Sequence, residues 1–271
     1  MLLSLDSGIS ALGQFQQKLN VIANNIANVE TVGYKSASIN FADTLSQTLS
    51  GPSPAGTMQI GTGIHTASIT NEFTQGATTS TGSPSDLMIN GGGFFMVKDS
   101  STGNSYVTRD GHFAVDSSGY LINSSGMRVQ GYTDGTLSSV GDIQITNNTG
   151  SAGKVESYSF GTDGKITVKL SDSPNPITRG QILLQDFTSP QQLLKVGNNL
   201  YSGLSLAGPL AAPVAPGSSG LGEVNPGLEM SNVDLAHELT SLITTQRAYE
   251  ANSKVITTSD EILQTLVNLK R

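Results

Sequence analysis

His65, His112 and His237 are the side chains of this sequence best suited by type to acid–base catalysis or metal binding. They stand far apart in unrelated contexts, with no carboxylate spacing that suggests a metal site. Gly91-Gly92-Gly93 could cradle a phosphate only at the entrance to a helix, whereas it lies between two strand patterns and reads as a hairpin turn. Asp110-Gly111 and Asp163-Gly164 resemble fragments of calcium loops, but the other ligands are missing and turn chemistry accounts for them. There is no Gly-x-Ser-x-Gly elbow, no cluster of acids and no Cys. These residues describe a non-enzyme, with no catalytic residues, no metal and no cofactor. A net charge of −7 without a basic patch also argues against nucleic acid as a partner.

Function must then reside in surfaces, and the strongest surface pattern is C-terminal. From Leu235, alternating steps of four and three give Leu235, Leu239, Leu242, Gln246, Tyr249, Ser253, Ile256, Asp260, Leu263 and Val267. Seven of these ten are apolar, and the mean step of roughly 3.5 residues is that of a coiled-coil seam. Ser231, Asn232 and Asp234 offer N-cap oxygens, Asp234 and Glu238 suit the first turn, and Lys270 and Arg271 suit the last. Glu250 and Lys254 form an i,i+4 pair. One row of the seam is wholly apolar, while the other carries Gln246, Ser253 and Asp260 in its middle. Buried polar groups need partners, so such a seam calls for several neighbours that supply hydrogen bonds as well as apolar surface.

A second amphipathic helix is predicted over residues 4–29, with Leu5, Ile9, Leu12, Phe15, Leu19, Ile22, Ile26 and Val29 on its apolar face. The heptad slips once, between Leu12 and Phe15. Asn20, Asn24, Asn25 and Asn28 crowd the later turns, although Asn is a poor helix former. In a packed bundle each amide could satisfy a polar seam residue on a neighbour. Gly33 is the expected stop. At about 25 residues each, either helix spans roughly 40 Å, and one pair offers too little core to stand without further packing. The ends are therefore expected to fold stably only where many copies meet.

Between the helices the period changes to two. Strand patterns begin at Ile64, and 86–97, 105–122 and 158–170 read as hairpin units, the second pair turning at Asp110-Gly111 and 116–119. A Gly-Pro-rich loop is expected at 51–56, and four prolines mark 207–227 as an extended linker. The expected class is α+β: long terminal helices forming a coiled-coil-like stalk, and a central all-β domain, barrel- or sandwich-like, of many short antiparallel strands. The expected division is an N-terminal helix at 1–33, a linking segment at 34–70, the β domain at 71–206, the linker at 207–227 and the C-terminal helix at 228–271. No stretch approaches the length of a membrane span. The N-terminus lacks a basic n-region, and Asp6, Ser7 and Gly8 interrupt what would be the apolar core of a signal peptide.

Several blocks resemble one family. They are Ser7-Gly-Ile-Ser-Ala-Leu12, residues 19–35 (Leu-Asn-Val-Ile-Ala-Asn-Asn-Ile-Ala-Asn-Val-Glu-Thr-Val-Gly-Tyr-Lys), Leu228-Glu-Met-Ser-Asn-Val-Asp-Leu235, Gln246-Arg-Ala-Tyr-Glu-Ala-Asn252 and residues 258–269. Residues 86–95, 108–113 and 197–201 add to them. Over nearly its whole length the chain resembles the bacterial flagellar rod and hook proteins. The opening of the C-terminal block and Gln130-Gly-Tyr132 lean toward the hook, whereas 59–64 and 90–95 lean toward the distal rod. The resemblance implies a structural subunit of the hook, a hollow flexible tube that transmits motor torque, with a distal rod subunit as the alternative. It implies export through the flagellar type III apparatus without a cleaved signal peptide, and a place in the extracellular flagellum. The implied partners are further copies of the chain, the distal rod, hook–filament junction and hook cap proteins, and the export apparatus. Assembly is assigned to Leu5, Ile9, Leu12, Phe15, Leu19, Ile22, Asn24, Asn25, Ile26, Asn28 and Val29 in the first helix. In the second it is assigned to Leu235, Leu239, Leu242, Gln246, Tyr249, Asn252, Ile256, Leu263 and Val267.

Overall fold

The computed structural model describes residues 2–50, 58–135, 137, 139–146, 155–171, 175–210, 212–218 and 220–269. The loop expected at 51–56 and the closing pair Lys270 and Arg271 lie outside the described residues. The chain divides into two compact units, Met1–Val29 with Ser36–Glu72 and Val233–Arg271, and Glu30–Lys35 with Phe73–Asn232. Two long helices and many short antiparallel strands make it an α+β protein.

The first unit holds both helices, α1 (Leu2–Ala27) and α2 (Leu235–Leu269). Helix α1 closes at Ala27, where the Asn28 amide is shared between the Asn24 and Asn25 carbonyls at 3.2 Å each. Gly33, the expected stop, lies beyond that point in the second unit, where its φ of 68° fits a close approach. A Cβ there would meet the Asp110 amide nitrogen at 2.6 Å. Helix α2 is capped by Asp234, whose Oδ1 accepts from the Ala236 amide at 2.9 Å. Among the described residues, Glu250 and Lys254 do not form the expected ion pair.

Residues 34–70, read from the sequence as a linking segment, carry a ribbon in which Ala37–Asp43 pairs antiparallel with Ile64–Asn71. The ribbon lies on α1. Phe41 meets Phe15 edge to face at 6.1 Å, and the Thr66 hydroxyl donates to Gln14 and, at 2.7 Å, to Gln17. The first strand has seven residues, but with only Ile39 and Phe41 alternating its period is too weak to announce it.

The second unit is built on a twelve-stranded antiparallel sheet. Along its main path the order is Val155–Phe160, Lys165–Leu170, Ile177–Ile182, Arg128–Tyr132, Phe94–Lys98, Ser105–Thr108, Leu200–Ser202, Leu194–Gly197. Leu87, Phe95, Val97, Leu121, Val129 and Ile182 are fully buried in its main core. The hairpins at 116–119 and within 158–170 form as expected. Gly91–Gly93 is not a hairpin turn. Leu87–Asn90 pairs with Glu223–Pro226, while Phe94–Lys98 joins the large sheet. The glycines carry the chain between the two sheets, and a Cβ on Gly91 would meet the Gly222 Cα at 2.8 Å. Asp110-Gly111 is not a hairpin turn either, because Ser105–Thr108 pairs with Phe94–Lys98 and Phe113–Val115 with Leu121–Asn123. The stretch expected as an extended linker is bound into this unit by the Phe187–Pro209 and Leu184–Val214 bridges and by Glu223–Pro226.

Candidate functional site

The two helices run antiparallel. The Asn25 amide, near the end of α1, donates to Glu238 Oε1 at 2.8 Å in the first turn of α2, while Gly8 lies against Ile256. A Cβ on Gly8 would sit 3.2 Å from Ile256 Cγ1. The roughly 1 kcal/mol that Gly costs a helix interior is therefore offset by close approach of the axes. Asn25 is buried and fixes three elements at once: Nδ2 also donates to the Ala37 carbonyl at 2.9 Å, and Oδ1 accepts from the Ala37 amide at 3.0 Å. Asn28 instead turns back on its own helix, donating to Asn24 Oδ1 at 2.9 Å.

The face of α2 that is least exposed follows Glu238, Ser241, Thr245, Ala248, Asn252, Ile256, Ser259 and Leu263. Its mean step is roughly 3.6 residues, that of a straight helix. It is mostly small and polar, and its only buried members are Thr245 and Ser259. Their hydroxyls are satisfied inside the helix, Thr245 Oγ1 donating to the Ser241 carbonyl at 2.6 Å and Ser259 Oγ to the Val255 carbonyl at 2.7 Å. A helix that answers its own hydroxyls can bury them without an orphaned donor. Sequence reading missed Thr245, Ala248 and Ser259 because it followed apolar type; small residues recurring at helical spacing were the available signal.

The predicted assembly residues divide accordingly. In α1, Ile22 and Asn25 are buried, and Leu5, Leu12, Phe15, Leu19 and Ile26 are half-buried, as are Asn28 and Val29 just beyond it. Ile9 and Asn24 are exposed. In α2, Leu242, Asn252, Ile256 and Leu263 are half-buried, whereas Leu235, Leu239, Gln246, Tyr249 and Val267 are exposed. Ile243, Ile262, Leu266 and Leu269 are exposed as well, so much of the apolar surface of α2 points away from its own chain.

In the second unit, three residues far apart in sequence meet in a fully buried ion cluster. Lys35 Nζ donates to Glu229 Oε1 at 2.6 Å and to the Thr74 carbonyl at 2.7 Å. Arg109 Nη1 lies 3.3 Å from Glu229 Oε2, and Nη2 donates to the Gly91 carbonyl at 2.8 Å. Burial lowers the pKa of both cations, opposed by the Glu229 carboxylate. Each of the three stands in one of the sequence blocks singled out above, and none was marked there as a contact.

Among the described residues no group of histidines and acids is placed to hold a metal. His112 pairs with Asp86 at 2.9 Å as a bridge between strands. No described helix is long and apolar enough to cross a membrane.

Three family models match the sequence: the flagella basal body rod protein over residues 5–35, the flagellar hook protein FlgE/F/G D1 domain over 88–168, and the flagellar basal body rod FlgEFG protein C-terminal region over 227–269. The first and last fall on α1 and α2. The flagellar basal-body rod protein FlgG of Bacillus subtilis is 43% identical over 279 residues, covering 100% of both chains. FlgG of Caulobacter vibrioides is 37% identical, covering 96% of this chain and 97% of its own. The flagellar hook protein FlgE of Borreliella burgdorferi is 28% identical over an alignment of 444 residues that covers 100% of each.

Proposed function

We propose that this chain, which belongs to the flagellar rod and hook family of axial structural proteins, is a subunit of the distal rod. Membership makes it a structural protein and not an enzyme. The reading of rod over hook is supported by one observation, end-to-end similarity to rod proteins of nearly its own length. The alignment with Bacillus FlgG spans 279 residues, little more than the 271 of this chain, while that with the hook protein needs 444. The block resemblances that favoured the hook lie in segments that rod and hook share.

In this reading the chain polymerises through α1 and α2 into a straight, stiff tube that carries torque. Its neighbours are copies of itself and other axial proteins, and it reaches its place through the flagellar export apparatus. The exposed apolar residues of α2 supply the subunit contacts, and the second unit forms the body of each subunit.

Electron microscopy of polymer assembled from purified chain tests this. Straight tubes that resist bending under flow are expected. Tubes that curve or supercoil would return the chain to the hook.

A further inference from the structure

Asn90-Gly91 is the one Asn-Gly step in the sequence. Asn is a thermolabile residue, most of all before Gly, whose missing Cβ leaves the next amide nitrogen unshielded. That nitrogen can attack the carboxamide carbon of the Asn. A bond forms from Gly91 N to Asn90 Cγ, the bond from Cγ to Nδ2 breaks, and ammonia leaves with the proton that Gly91 N gave up. Water then opens the resulting succinimide ring at either carbonyl, giving Asp or isoaspartate. Asn90 and Gly91 are both exposed, so water reaches the step.

The fold requires the glycine. Gly91 has a φ of 123°, and a Cβ on it would meet the Gly222 Cα at 2.8 Å. The weak step is thus a by-product of how closely the chain passes Gly222, and the same region holds the step still. Gly91 N–H donates to Gln75 Oε1 at 3.1 Å, while Gln75 Nε2 donates to Asn90 Oδ1 at 3.2 Å and to the Ile89 carbonyl at 3.3 Å. Because a backbone N–H can only donate, it fixes which end of the Gln75 amide is oxygen. One side-chain amide therefore bridges the attacking nitrogen and the group it would attack. On the far side Arg109 Nη2 donates to the Gly91 carbonyl at 2.8 Å, and Asn90 is paired with Glu223.

We propose that Asn90-Gly91 is this chain's site of spontaneous succinimide chemistry, and that Gln75 keeps it unreacted in the folded protein. The Gln75 oxygen holds the proton that Gly91 must lose before its nitrogen can attack. Attack also requires the Asn90 carboxamide to leave Gln75 and swing over that nitrogen, a geometry the bridge opposes. Donation to Oδ1 polarises Asn90 Cγ toward attack, but a neutral donor does so weakly, and without a free nitrogen there is no nucleophile. The restraint protects more than one bond. Isoaspartate adds a carbon to the main chain ahead of Gly91 and so displaces the Gly91 carbonyl from Arg109. Arg109 is buried, and its Nε has no hydrogen-bond partner among the described residues, so the damage would reach the cluster with Lys35 and Glu229. None of this depends on the choice of rod over hook.

The test holds purified full-length chain in mildly alkaline buffer and follows the peptide containing residue 90 by mass. The readouts are the small mass gain of amide-to-acid conversion and the appearance of isoaspartate. The unaltered chain should convert far more slowly when folded than in urea. Gln75→Ala should convert about fivefold faster than the unaltered folded chain, the factor that one net hydrogen bond supplies. Gln75→Glu, whose carboxylate still accepts from Gly91 N–H, should stay as slow as the unaltered chain. Hydrogen exchange reads the contact directly: the Gly91 amide should exchange faster in Gln75→Ala, while Phe95 and Val97 keep their protection. Equal conversion of the folded chain and the chain in urea would overturn the proposal. So would Gln75→Ala as slow as the unaltered chain, or Gln75→Glu as fast as Gln75→Ala. Lost protection at Phe95 and Val97 in Gln75→Ala would make the acceleration a general loosening and overturn it equally.

Discussion

The two units of this protein bury opposite kinds of surface. In the second, Phe95, Val97, Leu121 and Val129 fill the core and the charged Lys35, Arg109 and Glu229 are enclosed only as a matched cluster. In the first, α2 turns Thr245 and Ser259 inward and leaves Leu235, Leu239, Ile262 and Leu266 outside. One unit builds a large apolar core from its own chain, although Val196, Leu206 and Leu210 stay exposed at its surface; the other leaves much of one helix's apolar surface uncovered. The difference lies in what can be made self-sufficient: hydroxyls can be bonded within a helix, whereas an apolar face is covered only by another surface.

Perturbing each side in turn should separate them. The largest effect is expected from Glu229→Ala, which strands Lys35 and Arg109 without a counter-charge and should cost the second unit about 3–5 kcal/mol. Hydrogen exchange resolved by peptide would show protection falling across the large sheet; unchanged protection there would mean that the cluster contributes nothing. Next comes Ile22→Ala, which removes an enclosed aliphatic side chain of α1, at about 2–5 kcal/mol from the first unit. It should be read as faster exchange in α1 and α2.

Asn25→Ala removes the amide that joins α1, the ribbon and α2, and should cost about 1–3 kcal/mol. Asn24→Ala, at an exposed position, is the matched control, and equal losses for the two would deny Asn25 its special place. Leu239→Gln should change the stability of the isolated chain by less than about 0.5 kcal/mol, as for an ordinary surface position. It should nevertheless abolish polymer in a sedimentation assay. A strongly destabilised monomer would mean that Leu239 is already packed at home.

Much of this was legible in the residue order. The recurrence of apolar side chains at steps of three and four announced both helices, Asp234 marked the start of α2, and the Asp-Gly turn at 163–164 marked a hairpin. What misled was the assumption that apolar means inward. Leu235, Leu239, Tyr249 and Val267 were placed in one seam with Leu242, Ile256 and Leu263, and the fold divides that seam between two faces. Strands at 37–43 and 223–226 escaped notice because neither shows a clear apolar alternation and each gains its pairing from a partner many residues away.

By itself the sequence determined the two helices and the hairpins at 116–119 and within 158–170, because those choices depend on neighbours within a turn or two. Only the tertiary structure decided which arc of α2 faces its own chain, because helical period fixes the angles between side chains and not the surface they meet. Only the fold, likewise, could bring Lys35, Arg109 and Glu229 within reach of one another, since no local preference carries information across such separations.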